Sequence, residues 1–176
     1  MRRSMFLTLA LALTSASVSI AQNSPADFRD EFAEHFERSS RKLVMLSDAV
    51  PEHLYTWSPG DGVMSIAQVY MHIARYNYMY LDEQLDIRAP AGVDWPNFES
   101  ITDKAKVVEL LGRSIEHVRQ AVRQMSEDDL TRETTLYGRR VPGWAVLFQL
   151  VAHMNEHVGQ SVSYARMNGV VPPWSS

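Results

Sequence analysis

Residues 143–167 of the chain read GWAVLFQLVAHMNEHVGQSVSYARM, and the fold class follows most directly from this segment. Its apolar and aromatic side chains return every three or four residues, the spacing that places them on one face of an α-helix. That face is made by Val146, Leu150, His153, His157 and Tyr164. Residues 168–169 read Asn-Gly, a pair typical of the end of a helix. The stretch therefore predicts a long amphipathic helix whose inner face changes from aliphatic to imidazole side chains halfway along.

Three segments upstream have the same helical spacing of apolar residues, at about residues 25–49, 65–85 and 103–122. The segments that connect them contain proline, glycine and polar residues, which are typical of loops. In the last connection, 126–142, we expect one helical turn at most and no strand, because its residues do not alternate between apolar and polar. The sequence therefore predicts an all-α fold, a four-helix bundle with fairly long connections.

The composition excludes several classes of protein. The chain has 176 residues, no cysteine and a formal net charge of -4. Without cysteine there is no disulfide framework, thiolate zinc site, iron–sulfur cluster or cysteine nucleophile. A metal ion would have to be bound by histidine, carboxylate or water. The acidic balance also argues against a nucleic-acid partner, which needs a basic face.

The N-terminus has the pattern of a secretion signal. Arg2 and Arg3 precede an uncharged, mainly apolar run at residues 5–20, and at its end Ser19 and Ala21 place small side chains at the two positions that a signal peptidase reads. The run is shorter than the roughly 20 residues that span a bilayer. We therefore predict that residues 1–21 are a cleaved signal peptide and that 22–176 form one exported domain, with an uncleaved membrane anchor as the alternative. The mature protein is then expected to have no membrane contact and, in a Gram-negative source, to be periplasmic.

The histidines on the last helix are the clearest candidates for chemistry. His153 and His157 are four residues apart, so their Cβ atoms are about 5–6 Å apart on one helix face and both rings can reach one metal ion. A third ligand has to come from another helix, and His72 lies in the middle of the second one. A single core histidine is often only structural, as is a chance pair on a helix. The remaining histidines, His35, His53 and His117, have no such context and are assigned no role.

Residues 153–157 also fit the inverted zinc-protease pattern His-x-x-Glu-His. In those enzymes a further acidic ligand follows downstream, but no Asp or Glu occurs after His157 in this chain. The protease interpretation is therefore disfavoured. Glu156 is expected to face solvent, since it is about 100° around the helix from His157.

The chain resembles the DinB-like (DinB/YfiT) family of metal-dependent enzymes. The resemblance rests on GVMSIAQ at 62–68 leading to His72, HMNEHVGQ at 153–160 and the closing segment 164–175. It implies a four-helix bundle, often a homodimer, that binds a divalent metal ion through His72, His153 and His157. Zinc and nickel are the ions we expect first. Relatives include transferases and isomerases that use small thiols such as bacillithiol or mycothiol, and an export signal would separate this chain from that cytoplasmic thiol pool.

Three imidazoles leave a metal position open for water or substrate, as in catalytic sites. The leading hypothesis is therefore a metal-dependent transferase, similar to the thiol transferases, or a hydrolase, acting on an unidentified small molecule that could be a thiol. Tyr76 and Gln160 are candidates for orienting a ligand or contacting substrate, with core packing as the alternative. A non-catalytic metal-binding or stress-related interaction protein remains open, as does a dimeric structural module. Whether the chain is an enzyme is left open by the sequence.

Overall fold

The computed structural model describes residues 25–175, so the predicted signal peptide lies outside the described part of the chain. Along the chain, the helices and strands are α1 Pro25–Ala49, α2 Ile66–Met79, α3 Lys104–Gln124, α4 Glu127–Thr131, β1 Glu133–Leu136, β2 Arg139–Pro142 and α5 Gly143–Met167. In the range 25–175, no helix is both long enough and apolar enough to cross a bilayer. The prediction of an all-α fold is confirmed, with one short hairpin added.

The long helices begin where the sequence predicts them. Ser65 and Gln68 form a reciprocal capping box at the start of α2, in which each side chain binds the backbone N–H of the other. Asp103 caps α3 by accepting a hydrogen bond from the backbone N–H of Lys106. These bonds satisfy backbone donors that the first turn of a helix leaves without a partner.

The second helix does not keep a regular α-helical path to its end. After Met79 the backbone widens into a π-helical turn, Tyr80–Gln84, which ends at Leu85. The predicted end at about Leu85 is therefore correct, but the apolar spacing gave no sign of the wider turn. Short π-helical turns are rare, and they are found frequently at functional sites.

The expectation that residues 126–142 contain no strand is wrong. Strands β1 and β2 form an antiparallel hairpin in which Leu136 pairs with Arg139, so that only two residues make the turn. Both turn residues have positive φ, 49° at Tyr137 and 74° at Gly138. Four-residue strands are too short for an alternating pattern to stand out, and the usual Asn-Gly signal of such a turn is absent. The single helical turn expected after Ser126 is present as α4, which Ser126 caps.

The four long helices form a closed bundle. Helix α1 packs on α3 and α5, and helix α2 packs on the same two neighbours. The core is made of aliphatic and aromatic side chains from all four, with Phe36, Leu43, Tyr70, Leu111 and Val146 among its most buried members. The interface between α2 and α5 holds the histidines and therefore positions the candidate site.

The hairpin leads into α5 with no intervening residue, because Pro142 ends β2 and also precedes the first residue of the helix. The Gly143 N–H donates to the carbonyl of Arg132 at 2.9 Å. A Cβ at Gly143 would collide with the backbone carbonyl of Asp129 in α4. The start of α5 is thus fixed against the end of α4.

Candidate metal centre

The structure brings His72, His153 and His157 together at the interface of α2 and α5. The ring centroid of His72 is 5.1 Å from that of His153 and 4.9 Å from that of His157. The rings of His153 and His157 are 4.6 Å apart. Each ring offers one nitrogen, and these nitrogens all lie within 4.8 Å of one another. Two helices therefore deliver three imidazoles to one small volume.

The separation of two of these nitrogens matches that of a shared metal ion. The Nε2 atoms of His153 and His157 are 3.2 Å apart. Two nitrogens that each bind a tetrahedral ion at about 2.0–2.1 Å are about 3.3 Å apart. The pair could accordingly bind one ion with little rearrangement, and the all-nitrogen donor set suits zinc, nickel, copper or iron.

A carboxylate outside the cluster orients His72. Glu99 lies in the short helical turn Trp95–Ser100, and its Oε1 is 2.8 Å from Nδ1 of His72. The same oxygen accepts a hydrogen bond from Arg75 at 3.0 Å. Because an ionised carboxylate only accepts, His72 Nδ1 carries the proton and its Nε2 keeps a free lone pair. Burial acts to raise the pKa of Glu99, but the hydrogen bonds from His72 and Arg75 outweigh it and lower that pKa.

Gln160 orients His157 in the way that Glu99 orients His72. Its Oε1 is 2.7 Å from His157 Nδ1, and its amide nitrogen donates to the hydroxyl of Tyr164 at 2.9 Å. The amide oxygen can only accept, so Nδ1 of His157 carries the proton and Nε2 again keeps its lone pair. One helix, α5, thus supplies two imidazoles and the group that fixes the tautomer of one of them.

Burial keeps two of the imidazoles neutral. His153 is 9% exposed, and burial together with the neighbouring His157 and His72 lowers its pKa to about 3. Burial also lowers the pKa of His157, although the hydrogen bond to Gln160 opposes this effect. A neutral imidazole is the form that binds a metal ion, so no proton has to be displaced near neutral pH.

Tyr76 lies against the cluster, one turn beyond His72 on α2. Its ring is stacked on His153 with centroids 4.5 Å apart and lies 4.4 Å from His72. The ring of Tyr80, one further turn along, is 5.5 Å from Tyr76 and 6.0 Å from His153. An aromatic row therefore borders the histidines on the side towards the hairpin.

The other histidines lie apart from this cluster. His35 is exposed on α1 beside Glu31, and His53 is exposed in the loop after α1. His117 lies on α3, where its ring stacks on Tyr78 with centroids 5.0 Å apart. Glu156 is exposed, as expected, and this position does not suit the buried general base of a protease. The structure thus groups the three histidines that the sequence singled out and leaves the other three separate.

Sequence reasoning did not identify Glu99. It is 27 residues from His72, in a segment with no regular periodicity. A carboxylate in a short helical turn far along the chain has no spacing relation to a histidine on another helix, and no sequence signal would have marked it. Tyr80 lies within the apolar pattern of residues 65–85 that predicts the second helix, a pattern that indicates core packing only, and its ring is buried.

Comparisons with known proteins agree on one family. A protein-family model described as the DinB superfamily matches residues 35–161 of this chain. The crystal structure of a DinB-like protein from Bacillus cereus has a TM-score of 0.69 at 18% identity, over 86% of this chain and 97% of that one. A DinB-like protein from Bacillus subtilis has a TM-score of 0.64 at 20% identity, over 79% of this chain and 92% of that one. The comparison with curated proteins gives no match.

Proposed function

The chain belongs to the DinB superfamily, and we propose that it is a metal-dependent enzyme. In this proposal His72, His153 and His157 bind a divalent ion, zinc or nickel, and the ion keeps a position open for a small-molecule substrate. The reaction is of transferase type, with a thiol as one substrate class, or of hydrolase type. The observation that carries the proposal is the geometry of the three imidazoles, whose ring nitrogens lie within 4.8 Å of one another.

The groups around the imidazoles support this proposal over a purely structural role. Glu99 and Gln160 hold the Nδ1 atoms of His72 and His157, and so leave the Nε2 lone pairs free. A structural histidine is normally satisfied at both nitrogens by protein groups or water. Here the Nε2 atoms of His153 and His157 have each other at 3.2 Å. Without an ion, Nε2 of His153 has to donate to Nε2 of His157, whose proton is on Nδ1.

Each residue has a defined task in the proposed site. The three imidazoles hold the ion, while Glu99 and Gln160 fix the orientation of two rings. Tyr76 shields one side from water by stacking on His153. The bound ion would supply Lewis acidity, which stabilises a thiolate or a hydroxide at neutral pH. The exported, periplasmic location that the sequence predicts is part of the same proposal.

Metal analysis of protein purified without a histidine tag tests the site. We expect about one equivalent of divalent ion per chain for a three-histidine site. The matched control is a His35→Ala, His53→Ala variant, which removes two exposed imidazoles outside the cluster. It should bind as much metal as the wild type, whereas a His153→Ala, His157→Ala variant should bind almost none. Equal metal content in all three proteins would contradict the proposed site.

Turnover tests the enzymatic part. Metal-loaded protein is screened for thiol conjugation and for ester and amide hydrolysis, with the His153→Ala, His157→Ala variant as the control. We expect activity that is lost on chelation and regained when the ion is restored. An ion whose fourth position is filled by a protein side chain, with no exchangeable water, would instead indicate non-catalytic metal binding.

Export has its own test. The full-length chain is expressed in a Gram-negative host, and the soluble product is fractionated and its N-terminus sequenced. We expect periplasmic protein that begins at about residue 22. Retention of residues 1–21 in a membrane fraction would instead support an uncleaved anchor.

A further inference from the structure

Two uncommon backbone features meet at one side-chain contact. Tyr137 has a φ of 49°, in the left-handed region that bulky residues rarely adopt. Tyr80 begins the π-helical turn at the end of α2. The hydroxyl groups of these two tyrosines are hydrogen-bonded to each other. Rare conformations of this kind persist where the surrounding structure holds them, and they are concentrated at functional sites.

The contact lies at one end of the candidate metal centre. The ring of Tyr80 is 6.0 Å from that of His153 and 5.5 Å from that of Tyr76. The hairpin is fixed to the π-helical turn by a hydrogen bond from the Thr134 hydroxyl to the carbonyl of Gln84, at 2.6 Å. Both strands also contact α5. The hairpin therefore closes the end of the interface between α2 and α5 in which the histidines lie.

The side chain of Tyr137 remains available to a ligand. It is 63% exposed, although its hydroxyl is held by Tyr80, whose own ring is only 1% exposed. A two-residue turn that only joined two strands would be served better by Asn or Gly at this position. The turn thus presents an aromatic ring that is anchored at its tip and open on its surface.

We infer that Tyr137 and Tyr76, supported by the buried ring of Tyr80, form an aromatic wall that binds the non-reacting part of the substrate. The substrate class this wall fits carries a planar aromatic or unsaturated group, which packs on Tyr137 while its reacting group reaches the three imidazoles. Aromatic rings favour such partners through offset-stacked and edge-to-face packing. This inference rests on the proposed metal-dependent function and adds the substrate class to it.

The test uses two thiols that differ only by a ring. The mature protein, residues 22–176, is loaded with Co²⁺. Its visible spectrum is recorded while 4-phenylbutane-1-thiol or butane-1-thiol is added. The wild type should bind the phenyl compound about tenfold more tightly, a difference of about 1.4 kcal/mol. Tyr137→Asn, whose side chain tolerates a positive φ, should reduce that ratio to below about threefold. Tyr137→Phe keeps the ring and should keep most of the ratio.

Controls separate a substrate contact from general damage. Trp144 is also an exposed aromatic residue, but its ring contacts Phe28 of α1. Trp144→Leu should leave the ratio unchanged, and the dissociation constant of butane-1-thiol should stay the same in every variant. Circular dichroism and the cobalt spectrum check that each variant folds and binds the ion. Tyr137→Gly is the second variant if Tyr137→Asn does not fold.

Three results would overturn the inference, and they differ in what else they overturn. Equal binding of the two thiols by the wild type, or an unchanged ratio in Tyr137→Asn, refutes the aromatic wall while the cobalt spectrum still supports the metal site. Absence of a cobalt spectrum from the wild-type protein refutes the proposed function and the inference together.

Discussion

Helix α2 has histidine neighbours on two sides, and the two sides differ. Towards α3, His117 lies against the ring of Tyr78, with its Nε2 buried and without a hydrogen-bond partner among residues 25–175. Towards α5, His72 meets two further imidazoles whose nitrogens lie within 4.8 Å of one another. Burial lowers the pKa of His117 and also that of His153.

Burial alone therefore does not make a binding site. Desolvation produces a neutral imidazole on both sides of α2, so a lowered pKa does not distinguish them. What distinguishes the α5 side is that Glu99 and Gln160 take up the outer nitrogens of His72 and His157. The inner nitrogens are then left facing one another. On the α3 side the single ring lies against the ring of Tyr78, which can bind no ion with it.

The largest expected effect comes from removing an imidazole on the α5 side. His153→Ala should reduce metal content from about one equivalent to below about 0.1, because two remaining ligands bind a divalent ion far more weakly than three. His117→Ala is the matched control on the α3 side and should bind as much metal as the wild type. Elemental analysis of dialysed protein measures both. A similar loss in the two variants would remove the distinction between the two sides.

A smaller effect is expected from the carboxylate that orients His72. Glu99→Gln removes the charge while keeping a similar shape, and should weaken metal binding by about 10–100-fold, the range for such supporting partners. Glu109→Gln is the control, since Glu109 is exposed on α3 and pairs with Lys106 and Arg113. Competition with a chelator of known affinity gives the dissociation constants. Unchanged affinity in Glu99→Gln would show that the His72 ring is positioned without this contact.

The pH dependence of stability should follow the buried histidines. The pKa of His153 is about 3 in the folded chain, below the value of about 6.5 in the unfolded chain. The unfolded state therefore binds the proton first, and metal-free protein should lose stability as pH falls below about 6.5, by at most about 1.4 kcal/mol per unit from this group. Denaturant unfolding between pH 5 and 7 measures the slope. His153→Gln should have a shallower slope, and identical slopes would contradict this assignment.

The smallest expected effect is on the α3 side. His117→Phe keeps a ring against Tyr78 and removes a buried nitrogen that has no partner in the described chain, 25–175. Stability should rise by up to about 1 kcal/mol, with metal content unchanged. Urea unfolding at pH 7 gives the change in the free energy of unfolding. A loss of more than about 1 kcal/mol would indicate that His117 has a polar role not visible in its contacts.

The parts of the fold that have a regular spacing of apolar residues could be predicted from the sequence. The four long helices follow from the spacing of apolar residues, and the capping box at Ser65 marks the start of α2. The hairpin could not be predicted, because its order depends on pairing between two short strands and on a turn with tyrosine at a positive φ. The π-helical turn at Tyr80–Gln84 was hidden for a similar reason, since one extra residue per turn leaves no mark in a short apolar segment.

The residues of the candidate site also include some that could be predicted from the sequence and one that could not. His153, His157 and Gln160 share one helix, so their relative positions follow from helical geometry. His72 could be added because it lies in the middle of another helix and faces the core. Glu99 could not be found, because its position depends on how the segment Trp95–Ser100 packs on α2. The spacing of residues predicts the geometry within one helix, but it does not predict a contact between segments that are distant in the sequence.

The direct junction between the hairpin and α5 has a consequence for how this protein can change in length. Gly143 holds the first turn of α5 against the carbonyl of Asp129, so the rotation of that helix about its axis is set at its first residue. An extra residue at this junction would turn both imidazoles of α5 by about 100° away from His72. An extra residue between positions 137 and 138 would alter only the tip of the hairpin. The protein can therefore vary what borders its site without disturbing the three histidines that form it.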